Sequence, residues 1–405
     1  MIPIERPYMK ISRSVKIAVA AVALALVGTQ ASFGAATING DGSTFAQPLL
    51  STCKTAWQSA TGNTFGAYPG NGSGTGIANA KNGINDYNFA DYPSGVGVNS
   101  YPAYANTKIV QIPAVAAPIA IAYNLGGRSQ AQTLFLSQNT LSDIFAGKVT
   151  MWNDPEISKD NNGSTTVVTY KLDATGNPVK VNGKPVVLKT TTVVRHFTLP
   201  AQTIKLVVRS DGSGTTYNLV YMLAKLFPAT WSNISDNNNA KLSNTFSKDY
   251  PGSANDLLGR IQQVKGSALV AAQIAKTPYS IGYAEANFAK NAGLASAAIQ
   301  NASGAYQTPT AAGVAQFLDA ATFAADGAAT FNYADKNAGD YILGIISYGL
   351  VDSSVTGAAA AAVKSFLTYV VSDACPTTDS KLQFTTLPAK QKAVALALIA
   401  KLPNA

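Results

Sequence analysis

The sequence predicts a two-lobed α/β protein, and three observations carry that expectation. A chain of 405 residues is long enough to bury a large core and to form two or more lobes. Strand-like and helix-like stretches alternate along it, with polar residues clustered at the strand ends, where α/β folds hold their ligands. Finally, Asn71-Gly72-Ser73-Gly74-Thr75-Gly76 and Asp211-Gly212-Ser213-Gly214-Thr215-Thr216 are loops of nearly one composition, 140 residues apart, each leading into helical apolar spacing. A Gly-Ser-Gly-Thr turn that opens a helix exposes unpaired backbone N–H groups and adds hydroxyl donors at the positive end of the helix dipole. That is a generic anion cradle, and two of them, one in each half, suggest two lobes closing on one small anion.

Taken in order, Arg6, Lys10, Arg13 and Lys16 precede an uncharged apolar run from Ile17 to Val27, followed by small residues up to Ala36. A basic region, an apolar core and a small-residue exit describe a secretory signal peptide, expected over residues 1–34. Eleven apolar residues fall well short of the roughly 20 that a spanning helix needs. Thr37 to Gly40 reads as a strand entering a turn. Leu49, Leu50, Cys53, Ala56, Trp57 and Ala60 then share one helix face, and Pro48, tolerated only in a first turn, sets the helix start near Thr44. Thr64 to Tyr68 is extended, the first Gly-Ser-Gly-Thr loop and its helix follow, and Tyr87 to Ala90 is a strand ending at Asp91.

Pro113 and Pro118 make the apolar stretch Ile109 to Tyr123 an extended crossing between lobes, not a helix. Thr140 to Pro155 reads as a short helix and turn. Residues 165–198 alternate Thr and Val, and Asn182-Gly183 between Val179-Val181 and Pro185-Val187 signals a tight turn, so this segment is expected as an appended β-hairpin. Leu206 to Val208 is a buried strand delivering the second loop, whose helix places Tyr217, Val220, Leu223, Ala224 and Phe227 on one face. Ser280 to Tyr283 is a further strand, Tyr341 to Leu350 is the strand returning to the first lobe, and helices are expected over Ala358–Val371 and Lys390–Lys401. One lobe is thus expected from residues 35–114 with 344–405, the other from 115–343.

Composition narrows the chemistry. Charged residues make up only 13%, and there is one histidine, His196, and two cysteines, Cys53 and Cys375. A His/Cys metal cluster is therefore excluded, and a Ser-His-Asp triad would rest on His196 alone, which lies in the hairpin segment. No Lys/Arg block or basic stripe with interleaved aromatics points to nucleic acid. Removing residues 1–34 takes four positive charges and one negative from the net +9 and leaves +6, a balance that favours anionic ligands. In an oxidising compartment Cys53 and Cys375 are expected to pair, the alternative being two separate thiols with Cys53 packed on its apolar helix face.

Several segments, in order, resemble the periplasmic phosphate-binding protein of phosphate ABC transporters. They are Gly40-Asp41-Gly42-Ser43-Thr44-Phe45 with Pro48; Tyr68 to Gly74; Phe89-Ala90-Asp91-Tyr92-Pro93; Ile112-Pro113; Ile144 to Lys148; Trp152-Asn153-Asp154; Val207 to Thr215; and Ile281 to Glu285. The resemblance implies a type II periplasmic-binding-protein fold, with a two-stranded hinge and one inorganic phosphate in the cleft. It also implies a monomeric protein that serves an ABC permease in the inner membrane, with no cofactor or metal and no catalytic residue. By the same resemblance, Thr44 and Phe45 supply a hydroxyl and backbone N–H groups, Ser73 a hydroxyl, Asp91 an acceptor carboxylate and Arg209 a guanidinium. Ser213, Gly214 and Thr215 form the second cradle, and Asp211 pairs with the arginine. The segment 165–198 is longer than the family's usual connection.

The same residues make physical sense unaided. A dry cleft holds a dianion only if nearly every lone pair of the anion meets a donor, and three helix starts, three hydroxyls and one arginine supply donors without a metal. Asp91 is the informative exception, because a carboxylate repels an anion unless the anion brings a proton. Hydrogen phosphate does and sulfate does not, which argues against a sulfate or molybdate binder. The other function class left open is a secreted phosphatase-like or phosphate-scavenging protein acting outside a transporter. Its enzymatic form would need a nucleophile with a base, or a two-metal cluster.

Overall fold

The computed structural model describes residues 34–93, 108–127, 132–173, 179–182, 184–231, 242–375 and 380–404. The expected signal peptide, apart from its last residue, and Gly183 of the expected hairpin turn lie outside the described residues. At its centre is an eight-stranded sheet. Seven of its strands are, in chain order, β1 (Gly40–Gly42), β2 (Tyr87–Ala90), β3 (Ile109–Asn124), β4 (Lys205–Arg209), β5 (Ile261–Val264), β6 (Ser280–Glu285) and β7 (Gly344–Asp352). Their spatial order is β5-β4-β6-β3-β7-β2-β1, and the eighth strand, Ala295–Ser296, pairs with β3.

Strand β3 joins the two halves of this sheet. Its residues 109–118 pair antiparallel with β7, and residues 119–124 pair antiparallel with β6. Both prolines sit where the ladder can spare an N–H. The β3–β7 register slips opposite Pro113, because Ser347 faces Val115 and Tyr348 faces Pro113, and Pro118 is the last residue paired with β7 before β6 takes over. On one side, β1 and β2 run parallel and β2 meets β7; on the other, β4 runs parallel to both β5 and β6. The C-terminal ends of β1, β2, β4, β5 and β6 lead into the loops that form the site described below.

Helices cover the sheet: α1 (Gln47–Thr61), α2 (Ser73–Lys81), α3 (Gly214–Leu226), α4 (Ser267–Lys276), α5 (Ala286–Asn291), α6 (Ala358–Val371) and α7 (Ala389–Ala400). Helix α1 begins three residues later than the expected Thr44. The Ser43 hydroxyl takes the Ala46 N–H at 3.0 Å, so residues 44–46 form a turn, and Pro48 still falls within the first two helical positions. The expected strand from Thr37 breaks at Asn39 into Thr37–Ile38, which pairs with Thr64–Phe65, and β1. Cys53, on the buried face of α1, is bonded to Cys375 just beyond α6, with Cα atoms 5.4 Å apart.

The hairpin segment is an arm of two antiparallel strands, Asn162–Tyr170 and Val187–His196, which starts three residues before the expected Thr165. At its tip Lys180 pairs with Pro185 and Val181 with Lys184 across the turn, and Asn182 takes a φ of 52°. His196 is exposed at the base of the arm. Among the described residues, no helix is long and apolar enough to cross a membrane.

Candidate anion-binding site

Arg209 is the last residue of β4, where the chain leaves the sheet, and it is 1% exposed. A buried guanidinium needs partners for its fork of donors. Its Nε and Nη2 meet the two oxygens of Asp211 at 2.7 and 2.5 Å. Nη1 donates to Ser267 Oγ at 2.8 Å and to Thr44 Oγ1 at 3.3 Å. Burial pulls the guanidinium pKa down, but the bonds and charge of Asp211 outweigh it and leave the net shift upward. Asp211 is the mirror case: burial alone would raise its carboxyl, and Arg209 together with the Gly266 N–H holds it below the usual range.

Asp91 follows β2 and is likewise buried. Ser73 Oγ, at the start of α2, donates to Asp91 Oδ2 at 2.8 Å, and Ser347 Oγ, from the middle of β7, donates to Oδ1 at 2.6 Å. Burial pushes the carboxyl up to about 6, while hydroxyl bonds from Ser347, Ser43 and Ser73 hold it lower than burial alone would, and the charge of Glu285 adds to the rise. The backbone of Asp91 is held as well, since Asn218 Nδ2 of α3 donates to its carbonyl at 2.6 Å and to the Gly214 carbonyl at 2.8 Å.

The two Gly-Ser-Gly-Thr loops touch. The Gly74 N–H donates to the Gly212 carbonyl at 3.0 Å. A Cβ on Gly72 would lie 2.7 Å from Asp211 Oδ2, and one on Gly214 would collide with Asp91 and come within 2.6 Å of Ser73 Oγ. Asn244 adds a bond to the Tyr92 hydroxyl at 2.9 Å, and Tyr92 stacks on Tyr217 with ring centres 4.4 Å apart. Thr44, Ser73, Asp91, Arg209, Asp211 and Gly214 are thus brought together from distant segments.

The three remaining expected residues have more specific placements. Phe45 lies in the turn before α1, and its ring is core, stacked on Phe384 at 5.0 Å, so only its backbone can face a ligand. Ser213 caps α3 by accepting the Thr216 N–H at 3.1 Å, which leaves its own hydroxyl proton to donate. Thr215 directs its hydroxyl proton to Glu285 Oε1 at 2.5 Å. Sequence reasoning missed Ser43, Asn218, Ser267, Glu285 and Ser347. Ser347 stood out only as the single serine in the run YILGIISYGL, with nothing to name its partner, and Gly266-Ser267 before an apolar helix was a third loop of the same kind.

The family model for the PBP superfamily domain matches residues 27–374. The chain belongs to the PBP superfamily. Among curated relatives, it is 29% identical over 277 residues to the phosphate-binding protein PstS of Pasteurella multocida, covering 68% of this chain and 64% of that one. It is 28% identical over 274 residues to the PstS of Xylella fastidiosa, covering 68% and 60%. The match therefore spans less than two thirds of the length of these relatives. Among solved structures, a human phosphate-binding apolipoprotein aligns with TM-score 0.60 at 19% identity, covering 89% of this chain and 93% of that one. This member of the PBP superfamily has the type II periplasmic-binding-protein fold, in which two α/β lobes meet at strands that cross between them.

Proposed function

We propose that this protein captures inorganic phosphate between its two lobes and is the exported binding component of an ABC uptake system. Asp91 carries the proposal. It is a buried carboxylate held by the hydroxyls of Ser73 and Ser347, and the arginine of the same site has its charge balanced by Asp211. Such a site attracts an anion through oriented donors and the starts of α2 and α3. It also excludes any anion that has no proton for Asp91. The names of the curated relatives point to the same ligand.

In this proposal one lobe comprises residues 35–114 and 344–405, the other 115–343, and the chain crosses between them within β3 and returns at the start of β7. Thr44, Phe45, Ser73, Asp91, Arg209, Ser213, Gly214 and Thr215 contact phosphate, and Asp211 fixes Arg209. The leader directs export, the monomer delivers to a permease, and the protein hydrolyses nothing.

Titration calorimetry tests this with phosphate and sulfate on three proteins. Wild type is expected to bind phosphate and to ignore a large excess of sulfate. Asp91→Asn replaces an obligate acceptor with a group that also donates, so it should weaken phosphate by about ten- to a hundredfold and admit sulfate, the loss expected for one charge-assisted hydrogen bond. Arg209→Ala should weaken every anion without admitting sulfate. An unchanged preference in Asp91→Asn would refute the mechanism.

A further inference from the structure

Glu285 plays no part in the recognition just described, yet it lies beside it. It ends β6 and is 0% exposed. Its Oε1 accepts the Thr215 hydroxyl at 2.5 Å, and its Oε2 has no hydrogen-bond partner among the described residues. Among the described residues, its charge acts on Asp91 at the end of β2 and on Arg209 at the end of β4. Arg209 is already committed to Asp211, Ser267 and Thr44. Tyr283, on the same strand, is taken by Thr216 and the Arg209 N–H.

Two consequences follow from elementary chemistry. A threonine hydroxyl has one proton, so while that proton points at Glu285, Thr215 offers the cleft only lone pairs. An arriving dianion then faces an acceptor where it needs a donor. In addition, among the described residues the buried Arg209 faces the buried carboxylates of Asp91 and Glu285 and the partly buried Asp211, and adding a dianion to that set is costly.

We propose that Glu285 is a positioning residue that sets the direction of the Thr215 hydroxyl, and that phosphate capture brings one solvent proton onto Glu285. The step balances simply: monohydrogen phosphate and one proton enter together, and no bond within the phosphate changes. Protonated Glu285 donates to Thr215 Oγ1, and the Thr215 O–H turns toward a phosphate oxygen. The site thereby gains a donor and loses a negative charge in one move. This rests on the phosphate reading above.

The test is calorimetry of inorganic phosphate at about pH 8.5 in buffers of different ionisation enthalpy, where the slope counts protons. Wild type is expected to take up one proton per phosphate, and its Kd should weaken as pH rises, as linkage to proton uptake requires. Glu285→Gln supplies a carboxamide donor to Thr215 with no proton needed, so uptake should vanish and Kd should become flat with pH. Thr215→Val, which removes the hydroxyl and leaves Glu285, should weaken phosphate and, with no Thr215 donor to release, lower the uptake. Zero uptake in wild type overturns the proposal whether or not either variant folds, and so does full uptake in a folded Glu285→Gln. Absence of any phosphate binding by wild type would instead refute the phosphate reading itself, and this inference with it.

Discussion

The two Gly-Ser-Gly-Thr loops share four residues in a row, yet they enter their helices one residue out of step. In the first, Gly72 is the cap and Ser73 the first helical residue, with no side chain capping the helix. In the second, Ser213 is the cap and Gly214 the first helical residue. That single step redistributes every job. Ser73 is free to hold Asp91, whereas Ser213 holds its own helix. Thr75 turns back to the Asn71 carbonyl at 3.2 Å, whereas Thr215 reaches Glu285. Composition announces that a helix starts here, but the register decides which group each hydroxyl holds.

The glycines should break this comparison most sharply. Gly72 has a φ of 99° and faces Asp211, whereas Gly212, its counterpart, has no close contact below 3.1 Å. At the second glycine the order reverses: Gly214 is pressed against Asp91 and Ser73, while Gly74 has 3.1 Å to its nearest neighbour. Gly72→Ala and Gly214→Ala are therefore expected to cost roughly a hundredfold or more in phosphate affinity, on the scale of about 3 kcal/mol for overpacking and strain. Gly74→Ala and Gly212→Ala should cost about tenfold or less. Equal losses at all four positions in a calorimetric series would mean that the loops are equivalent after all.

Asp91, clamped between the loops, should show its burial as a pH dependence. Its carboxyl binds its proton more tightly folded than unfolded, so its contribution to stability is complete below about pH 4 and is lost as pH rises through about 6. Urea midpoints of ligand-free protein should fall across that window by an amount worth roughly 2–3 kcal/mol, and Asp91→Asn should flatten the fall. Sulfate exclusion should follow the same proton, with sulfate beginning to compete with phosphate only below about pH 6.

Smaller effects separate the serines. Ser213→Ala removes a helix cap and should lower stability by about 1 kcal/mol. Ser73→Ala takes a donor from the buried Asp91 carboxylate and an acceptor from its N–H, so it should cost at least as much stability and, unlike loss of the cap, also weaken sulfate exclusion. The smallest expected effect is at the arm. Replacing residues 165–193 by a two-residue turn should leave the phosphate Kd within about twofold, since no proposed contact lies there.

Much of this molecule was legible because its signals are local. Pro113 and Pro118 ruled out a helix over β3, Asn182 announced the arm's turn, and the strand ending at Asp91 came out with its observed limits. The late start of α1 was not legible, because it depends on Ser43 reaching forward to Ala46 and not on Pro48. The site was read in part for the same reason. Loops that open helices carry their own signature, whereas Ser267, Glu285 and Ser347 acquire their roles only from the sheet order that sets β5, β6 and β7 beside β2 and β4. Nothing within a few residues of Ser347 reports that Asp91, 256 residues earlier, will lie against it.

The disulfide and β7 also have a meaning in time. Strands β1 and β2 and helix α1 lie within the first hundred residues, but β7 begins at Gly344 and Cys375 is 322 residues beyond Cys53. A chain that emerges with its N-terminus first must keep those early strands waiting, with an open edge on β2, until almost its whole length has appeared. Contacts of such long range slow folding and leave an intermediate open to association. The beginning of this protein is completed by its end, so losing residues 344–375 should leave the N-terminal strands without a sheet to join.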